Sequence, residues 1–270
     1  MRYFQTRVSE NRSLEGGYFV LTLSGCEALK ASKPGQFVMV RGEWERDPLL
    51  PRAFSLMTVG GDGTAEILAK VVGTGTSLLS RAALGETVQV LGPLGHGFPE
   101  PSVDCFDLLV AGGVGLPPLL MQAEAAAAAG LASQSELLYG GRRAVDIVLG
   151  ERLLQIGTAI HISTEDGSKG HKGRITEVLL QRLQAAKKLG KKVRILSCGP
   201  NPMLHAVGAI AEAEGIESHL SLEEVMACGI GVCLGCAIPA KSRPFRYVCK
   251  DGPVFDGADL VYETKLKIGT

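Results

Sequence analysis

The sequence predicts an antiparallel β barrel, then an α/β unit built on a doubly wound parallel sheet, then a cysteine-rich C-terminal segment. Three observations carry that expectation. The first hundred residues alternate short apolar runs with turn residues. Strand and helix patterns alternate from about Phe106 onward. Four of the seven cysteines fall together after residue 221. The expected divisions are 1–100, 101–220 and 221–270.

In the first part the strand candidates are Tyr18 to Leu23, Gln36 to Arg41, Phe54 to Val59, Ala65 to Val72 and Thr87 to Leu91. Gly60-Gly61-Asp62-Gly63 between two of them is a hairpin signal, because glycine accepts the positive φ that tight turns demand. In the second part, Asp107 to Ala111 is a continuous apolar run after its first residue, as in a strand buried on both faces. Further strands are expected at Glu136 to Tyr139, Thr158 to Ser163 and Val193 to Ser197. Helices are expected at Ile175 to Lys187 and Asn201 to Glu214. From about Ser221 regular structure is expected to end.

Bulk composition narrows the function. Hydrophobic residues make up 46% and charged residues 21%, enough for a packed core. Lys+Arg and Asp+Glu both number 28, so there is no electrostatic case for nucleic acid or an anionic membrane as partner. The first residues lack the apolar stretch of a secretory signal. The Ala-rich run Ala123 to Ala132 is short and broken by Glu124 and Gly130, so it is not a membrane span. Seven cysteines in such a chain suit a reducing, cytoplasmic compartment, where disulfides are rare.

Cys228, Cys233, Cys236 and Cys249 are spaced C-x4-C-x2-C-x12-C. Plant-type ferredoxins hold a [2Fe-2S] cluster with C-x4-C-x2-C and a distant fourth cysteine. Gly229, Gly231 and Gly235 allow a tight loop whose backbone N–H groups point at sulfur. A structural zinc site competes, but such sites use two short cysteine pairs and the second is missing here. Cys233-Leu234-Gly235-Cys236 as a redox dithiol lacks the strand–helix setting of that motif.

Two glycine-rich turns suggest nucleotides. Arg52-Ala53-Phe54-Ser55 precedes Lys70-Val71-Val72-Gly73-Thr74-Gly75-Thr76 by about twenty residues. A flavin dinucleotide needs a cation for its pyrophosphate, a hydrogen bond near ring N5, and backbone N–H groups for phosphate oxygen. Arg52 supplies a planar cation, Ser55 a hydroxyl, and Gly75 with Thr76 a helix start. Singly, each fragment reads as a solvated arginine or an ordinary turn. Their order inside an expected barrel favours the flavin. Ala111-Gly112-Gly113-Val114-Gly115-Leu116-Pro117-Pro118 follows a buried strand and precedes a helix, suiting a pyrophosphate at the helix N-terminus, although it is not the G-x-G-x-x-G fingerprint. Ser197-Cys198-Gly199-Pro200-Asn201-Pro202-Met203 repeats that logic. Cys198 fits equally a place near the nicotinamide and a small buried residue. Arg142, Arg143, Lys169 and Lys172 are candidates for an NADP 2′-phosphate or plain surface charges, so NAD and NADP stay undecided.

Arg-x-aromatic-Ser, Gly-x-Gly-Thr and then Leu91-Gly92-Pro93-Leu94-Gly95-His96-Gly97-Phe98 resemble the ferredoxin-reductase superfamily. Within it, Met226 to Cys236 and Val248 to Phe255 are similar to the electron-transfer subunits of NAD-dependent, class 1B dihydroorotate dehydrogenases. The resemblance implies FAD lined by Arg52, Ala53, Phe54, Ser55, Ala69, Lys70, Val71, Gly75 and Thr76. It implies NAD at Gly112, Gly113, Gly115, Cys198, Gly199 and Pro200, and a [2Fe-2S] cluster on the four cysteines. It also implies a relay in pyrimidine biosynthesis, from the FMN of a catalytic partner through cluster and FAD to NAD+, in a heterotetramer. Hydride transfer needs no protein acid or base, so no catalytic residue is expected. Ala53 departs from the proline these subunits often carry, and Phe54 from the superfamily's tyrosine. The alternative is a ferredoxin:NADP oxidoreductase, or a sulfide- or hydrogen-linked reductase subunit, with the same cofactors.

Overall fold

The computed structural model describes residues 1–44 and 47–262. The first part is a seven-stranded antiparallel sheet of β1 (Arg2–Ser13), β2 (Tyr18–Ser24), β3 (Phe37–Gly42), β4 (Arg52–Ser55), β5 (Thr58–Val59), β6 (Ala65–Lys70) and β7 (Thr87–Leu94). Their order is β4-β3-β7-β1-β2-β6-β5. The sheet curls until β4 approaches β6, giving the expected barrel form. Inside it Val8, Phe19, Leu21, Val38, Val40, Ile67, Val88 and Val90 form an apolar core. The alternation that predicts strands is visible in β7, whose residues are by turns half-buried and buried.

Two details differ from the sequence reading. β1 was not expected: most of its side chains are exposed, so hydrophobic alternation is weak. The expected strand at Phe54 to Val59 is two short strands, and β4 begins at Arg52, so the Arg-x-aromatic-Ser motif is itself the strand. The Gly60–Gly63 turn joins β5 to β6 as a hairpin, with the Gly60 N–H donating to Thr64 O at 2.8 Å.

A helix α1 (Thr74–Leu79) follows β6. The second sheet takes β8 (Phe106–Gly112), β9 (Ser135–Gly141), β10 (Ala159–Thr164), β11 (His171–Lys172), β12 (Val193–Cys198) and β13 (Glu217–Ser221), all parallel. Helices α2 (Leu116–Ala128), α3 (Gly150–Gln155), α4 (Ile175–Lys188) and α5 (Asn201–Glu214) connect them. The order β11-β10-β9-β8-β12-β13 reverses direction at β8. The crevice between the carboxyl ends of β8 and β12 is therefore the switch point where open α/β sheets take ligands.

The tail corrects the expectation that order ends near Ser221. A hairpin of β14 (Ala237–Ile238) and β15 (Arg246–Tyr247) leads to a one-turn helix, α6 (Val248–Asp251), and then to β16 (Val254–Asp256). β16 pairs antiparallel with β13, so the tail supplies the edge strand of the nucleotide sheet. One apolar cluster unites Phe37, Met39 and Leu94 of the barrel, Leu108 and Val110 of β8, and Val248, Cys236 and Cys249 of the tail. Each large side chain buried there contributes roughly 1.5–3 kcal/mol, so the three parts hold one another in place.

Candidate functional site

A cleft of about 580 Å³ opens at the switch point. Gly112 and Gly113 at the end of β8, Gly140 and Gly141 at the end of β9, and Pro200 after β12 line it. From the barrel side Tyr18, Lys70 and Val72 reach in. Glycine is required here by close approach. A β-carbon on Gly112 would stand 2.7 Å from Met203 Sδ, and one on Gly115 would collide with the Cys198 carbonyl. The Gly112-to-Gly115 turn and the Cys198-to-Pro200 turn thus pack backbone to backbone, leaving an open floor above them. Pro117 and Pro118 lie in the first turn of α2, where missing N–H groups cost nothing.

Not every expected cleft residue faces the cleft. Cys198 is 1% exposed, and burial pushes its thiol well above the usual range. It is a small buried residue beside the cleft, while Gly112, Gly113 and Pro200 form the wall. Gly115 is also buried, so its part is packing. Glu223, which the sequence reading did not single out, lines the cleft, and desolvation raises its carboxyl.

Barrel and sheet are tied across the cleft by three groups that sequence reasoning missed as a unit. Lys70 Nζ lies 3.0 Å from Asp146 Oδ1, and the Tyr18 hydroxyl donates to the same oxygen at 3.2 Å. The Lys70 ammonium stands over the Tyr18 ring, 4.5 Å from its centroid. The Arg143 N–H donates to the other Asp146 oxygen at 3.2 Å. Burial alone would raise the Asp146 carboxyl, but Lys70 and the Arg143 N–H outweigh it and hold it below its ordinary value. No local signal marks Asp146 as the link, since its barrel partners Lys70 and Tyr18 lie 76 and 128 residues away.

On the barrel, Arg52 and Gly75 meet: a β-carbon at Gly75 would stand 2.8 Å from Arg52 Nε. Arg52 Nη1 donates to Leu50 O at 2.7 Å, which orients the guanidinium. The Thr76 hydroxyl accepts from the Val72 N–H at 2.9 Å and from the Gly73 N–H at 3.2 Å, closing the turn before α1. Ala53 is exposed, Ser55 is half-buried and Phe54 packs partly against the barrel core. Ala69 buries its methyl in that core, so only its backbone is offered to a ligand. Val71 is exposed.

Two of the four tail cysteines form a close pair. Cys236 and Cys249 are buried with their sulfurs 3.3 Å apart. Cys228 is half-buried and its sulfur accepts from the Ile230 N–H at 3.4 Å, while Cys233 is exposed. Burial disfavours the Cys228 thiolate, but N–H groups of Ile230, Cys233 and Val232 outweigh that and bring the thiol down to about 6. Burial and the adjacent Cys236 sulfur push Cys249 up to about 12. Gly229, Gly231 and Leu234 take positive φ, which bends the loop so that its N–H groups turn toward sulfur. A two-iron cluster takes two thiolates per iron, and Cys236 with Cys249 forms one such pair. One tetrahedral zinc needs four ligands about a single point. Cys26 and Cys105 are both buried, Cys26 in the barrel core.

The loop is seated on the barrel. A β-carbon at Gly229 would stand 2.6 Å from Met39 Cγ. Met39 is the register partner of Ala53. The tail also bonds to the turn after β7, where the His96 N–H donates to Gly252 O at 2.5 Å.

A curled antiparallel sheet joined to a parallel nucleotide sheet, with a switch-point cleft between them, defines an oxidoreductase of ferredoxin-reductase type. Residues 109–208 match the oxidoreductase NAD-binding domain, and residues 223–261 match the iron–sulfur cluster binding domain of dihydroorotate dehydrogenase B. The second match encloses all four cysteines. The chain is 38% identical over 259 residues to the dihydroorotate dehydrogenase B (NAD(+)) electron transfer subunit of Geobacillus kaustophilus, covering 94% of this chain and 96% of that one. It is 32% identical over 260 residues to the subunit of the same name from Clostridium acetobutylicum, covering 96% and 98%. A solved NADH-dependent reduced ferredoxin-NADP oxidoreductase shares the fold with a TM-score of 0.80 at 24% identity, covering 95% of this chain and 90% of that one. A ferredoxin NADP+ reductase from Neisseria gonorrhoeae, solved with FAD and NADP, gives 0.65 at 18% identity, covering 80% and 92%. The chain belongs to the family of dihydroorotate dehydrogenase B (NAD(+)) electron transfer subunits. It is an oxidoreductase subunit with an iron–sulfur segment and a NAD-binding domain, and membership implies a catalytic partner. No helix among the described residues is long and apolar enough to cross a membrane.

Proposed function

We propose that this chain relays electrons from the FMN of a dihydroorotate dehydrogenase catalytic subunit to NAD+, in the pyrimidine pathway, as part of a cytoplasmic heterotetramer. Cys228, Cys233, Cys236 and Cys249 hold one [2Fe-2S] cluster. Arg52 to Ser55, Ala69 to Val71, Gly75 and Thr76 hold FAD, with the Arg52 guanidinium meeting the pyrophosphate. Gly112, Gly113, Gly115 and Cys198 to Pro200 form the NAD turns, some by lining the cleft and some by packing beneath it. Residues 1–100, 101–220 and 221–270 carry the three roles.

The observation that carries this reading is the seat of the Gly229 loop on Met39, one strand from Ala53. It brings the cysteine loop up to the strand that bears the proposed flavin residues. The same barrel sends Lys70 and Val72 into the nucleotide cleft. When bound, FAD would exchange hydride with nicotinamide and single electrons with the cluster. The chain's own part is to hold these groups close and in order. The Gly112 and Pro200 turns orient the nicotinamide, and backbone N–H groups stabilise thiolate charge at Cys228.

The test is to prepare the protein anaerobically and measure FAD, iron and acid-labile sulfide, expecting about one FAD and two irons per chain. Zinc without labile sulfide would overturn the cluster. Reconstitution with the dihydroorotate-oxidising chain should restore dihydroorotate-dependent NAD+ reduction. Turnover with a ferredoxin, and none with that chain, would favour the alternative reductase.

A further inference from the structure

Glu223 belongs to none of the turns assigned above, yet it lines the cleft. It lies just past the carboxyl end of β13. Its place is fixed from behind, where the Leu222 N–H donates to Pro253 O at 2.9 Å. Pro253 in turn touches the barrel: a β-carbon on Gly95 would stand 2.5 Å from Pro253 Cδ. Glu223 therefore stands where sheet, tail and barrel meet.

The cleft has two ends. Gly140, Gly141, Arg142 and Arg143 line it on the β9 side of β8. β12 and β13 lie on the other side, with β13 roughly 10 Å from β8 at about 4.8 Å per strand. Pro200, Met203 and Glu223 line that side. The Glu223 carboxylate bears on the Cys198 thiol, which sets it beside the Cys198-to-Pro200 turn. The strand with the proposed flavin residues approaches from here as well. β4 pairs with β3, and Met39 of β3 supports Gly229, six residues after Glu223. Hydride passes only between rings in contact. A dinucleotide with its pyrophosphate over Gly112 and Gly113 thus turns its nicotinamide toward Glu223.

Among the described residues no hydrogen bond or ion pair engages the Glu223 carboxylate, and desolvation alone raises it. Lys70, on the barrel wall of the cleft, is already paired with Asp146. The Glu223 side chain is nonetheless open to the cleft. A carboxylate without a counter-charge suits a cationic ring that carries an amide donor. Oxidised nicotinamide is such a group, with a positive ring and a carboxamide. Hydride added to the ring removes the charge and leaves the amide.

We propose that Glu223 holds the nicotinamide of NAD+ and discriminates by charge, binding the oxidised ring in preference to the reduced one. The proposal rests on the reading of the cleft as the NAD site. Glu223 carries no proton or electron in the reaction and acts on binding alone. Its hold weakens once the ring is neutral, which favours release of NADH.

The experiment uses the oxidised, cofactor-loaded protein and Glu223→Gln. Glu224→Gln is the control, because it removes the same charge from a residue that does not line the cleft. Calorimetry gives affinities for NAD+, for tetrahydro-NADH (a neutral analogue that cannot give up hydride) and for ADP-ribose, which lacks the nicotinamide. In Glu223→Gln the NAD+/tetrahydro-NADH affinity ratio should fall about tenfold, the scale of one charge-assisted contact. ADP-ribose binding should be unaltered, and Glu224→Gln should keep the ratio. An unchanged ratio in Glu223→Gln overturns the proposal, as does an equal fall in Glu224→Gln. An equal loss for all three ligands also overturns it, since Glu223 would then only shape the cleft. If the unmodified protein binds neither NAD+ nor ADP-ribose, the reading of the cleft as the NAD site fails, and the proposal with it.

Discussion

The Arg52 guanidinium lies against Gly75, so closely that a β-carbon at residue 75 would stand 2.8 Å from Nε. The two residues come from β4 and from the first turn of α1, and they meet only because the barrel curls. A single methyl at residue 75 should therefore displace the cation. Gly75→Ala and Arg52→Ala are both expected to weaken FAD retention, by about tenfold or more for loss of a charge-assisted contact, while iron content stays near normal. Flavin and iron assays on the same gel-filtered samples check this. Unchanged flavin affinity in both would show that another cation serves the pyrophosphate.

Cys233 is the exposed member of the cysteine set, and Cys198, Cys105 and Cys26 are buried elsewhere. No spare thiol stands ready among the described residues. Cys233→Ala should abolish the cluster and partner-linked NAD+ reduction, yet leave NADH oxidation by a dye largely intact. Both activities are to be measured on one FAD-replete preparation. Persisting partner-linked turnover would mean that electrons bypass the cluster.

Glu136 offers a pH test. Burial would raise its carboxyl, but the His161 ring and the Arg182 guanidinium, which donates twice at 2.7 Å, bring it down to about 2. An acid depressed in the folded state stabilises the protein above its ordinary value near 4.5, and that stability is lost as pH falls toward 2. The contribution is about 3 kcal/mol. Thermal melts of Glu136→Gln should show a lower melting temperature at pH 7 and a gap to the unmodified protein that closes as pH drops from 4.5. A gap independent of pH would refute the assignment.

Lys70 and Asp146 link barrel to nucleotide sheet at 3.0 Å, with Lys70 about one-third exposed. Solvent screening limits such a pair to about 1 kcal/mol. Lys70→Met, Asp146→Asn and the double variant form a cycle in which the single losses should sum to more than the double loss. Strict additivity in melting temperature would show that the pair does not couple the two parts.

Much of this architecture is written in local pattern. The parallel strands β8, β9, β10 and β12, the long helices α4 and α5, and the glycine turns after β8 and β12 stand where the local pattern puts them, because hydrophobic spacing of 2 or 3.6 residues is a property of a short window. The C-x4-C-x2-C-x12-C spacing likewise lies within a short window, the segment that matches the iron–sulfur cluster binding domain. β1 escaped because its residues are mostly exposed, and β16 because three residues make no period.

Tertiary structure alone decided what meets what. Cys198 sits in a glycine turn that reads like a nucleotide contact, yet folding buries it behind Gly115. Asp146 reads as an ordinary loop acid, yet it receives Lys70 and Tyr18 from the barrel. Gly229 reads as a turn residue of the tight cysteine loop, yet it is also the point where that loop rests on Met39. Each of these contacts joins segments tens to hundreds of residues apart, and no local window carries the packing that brings them together.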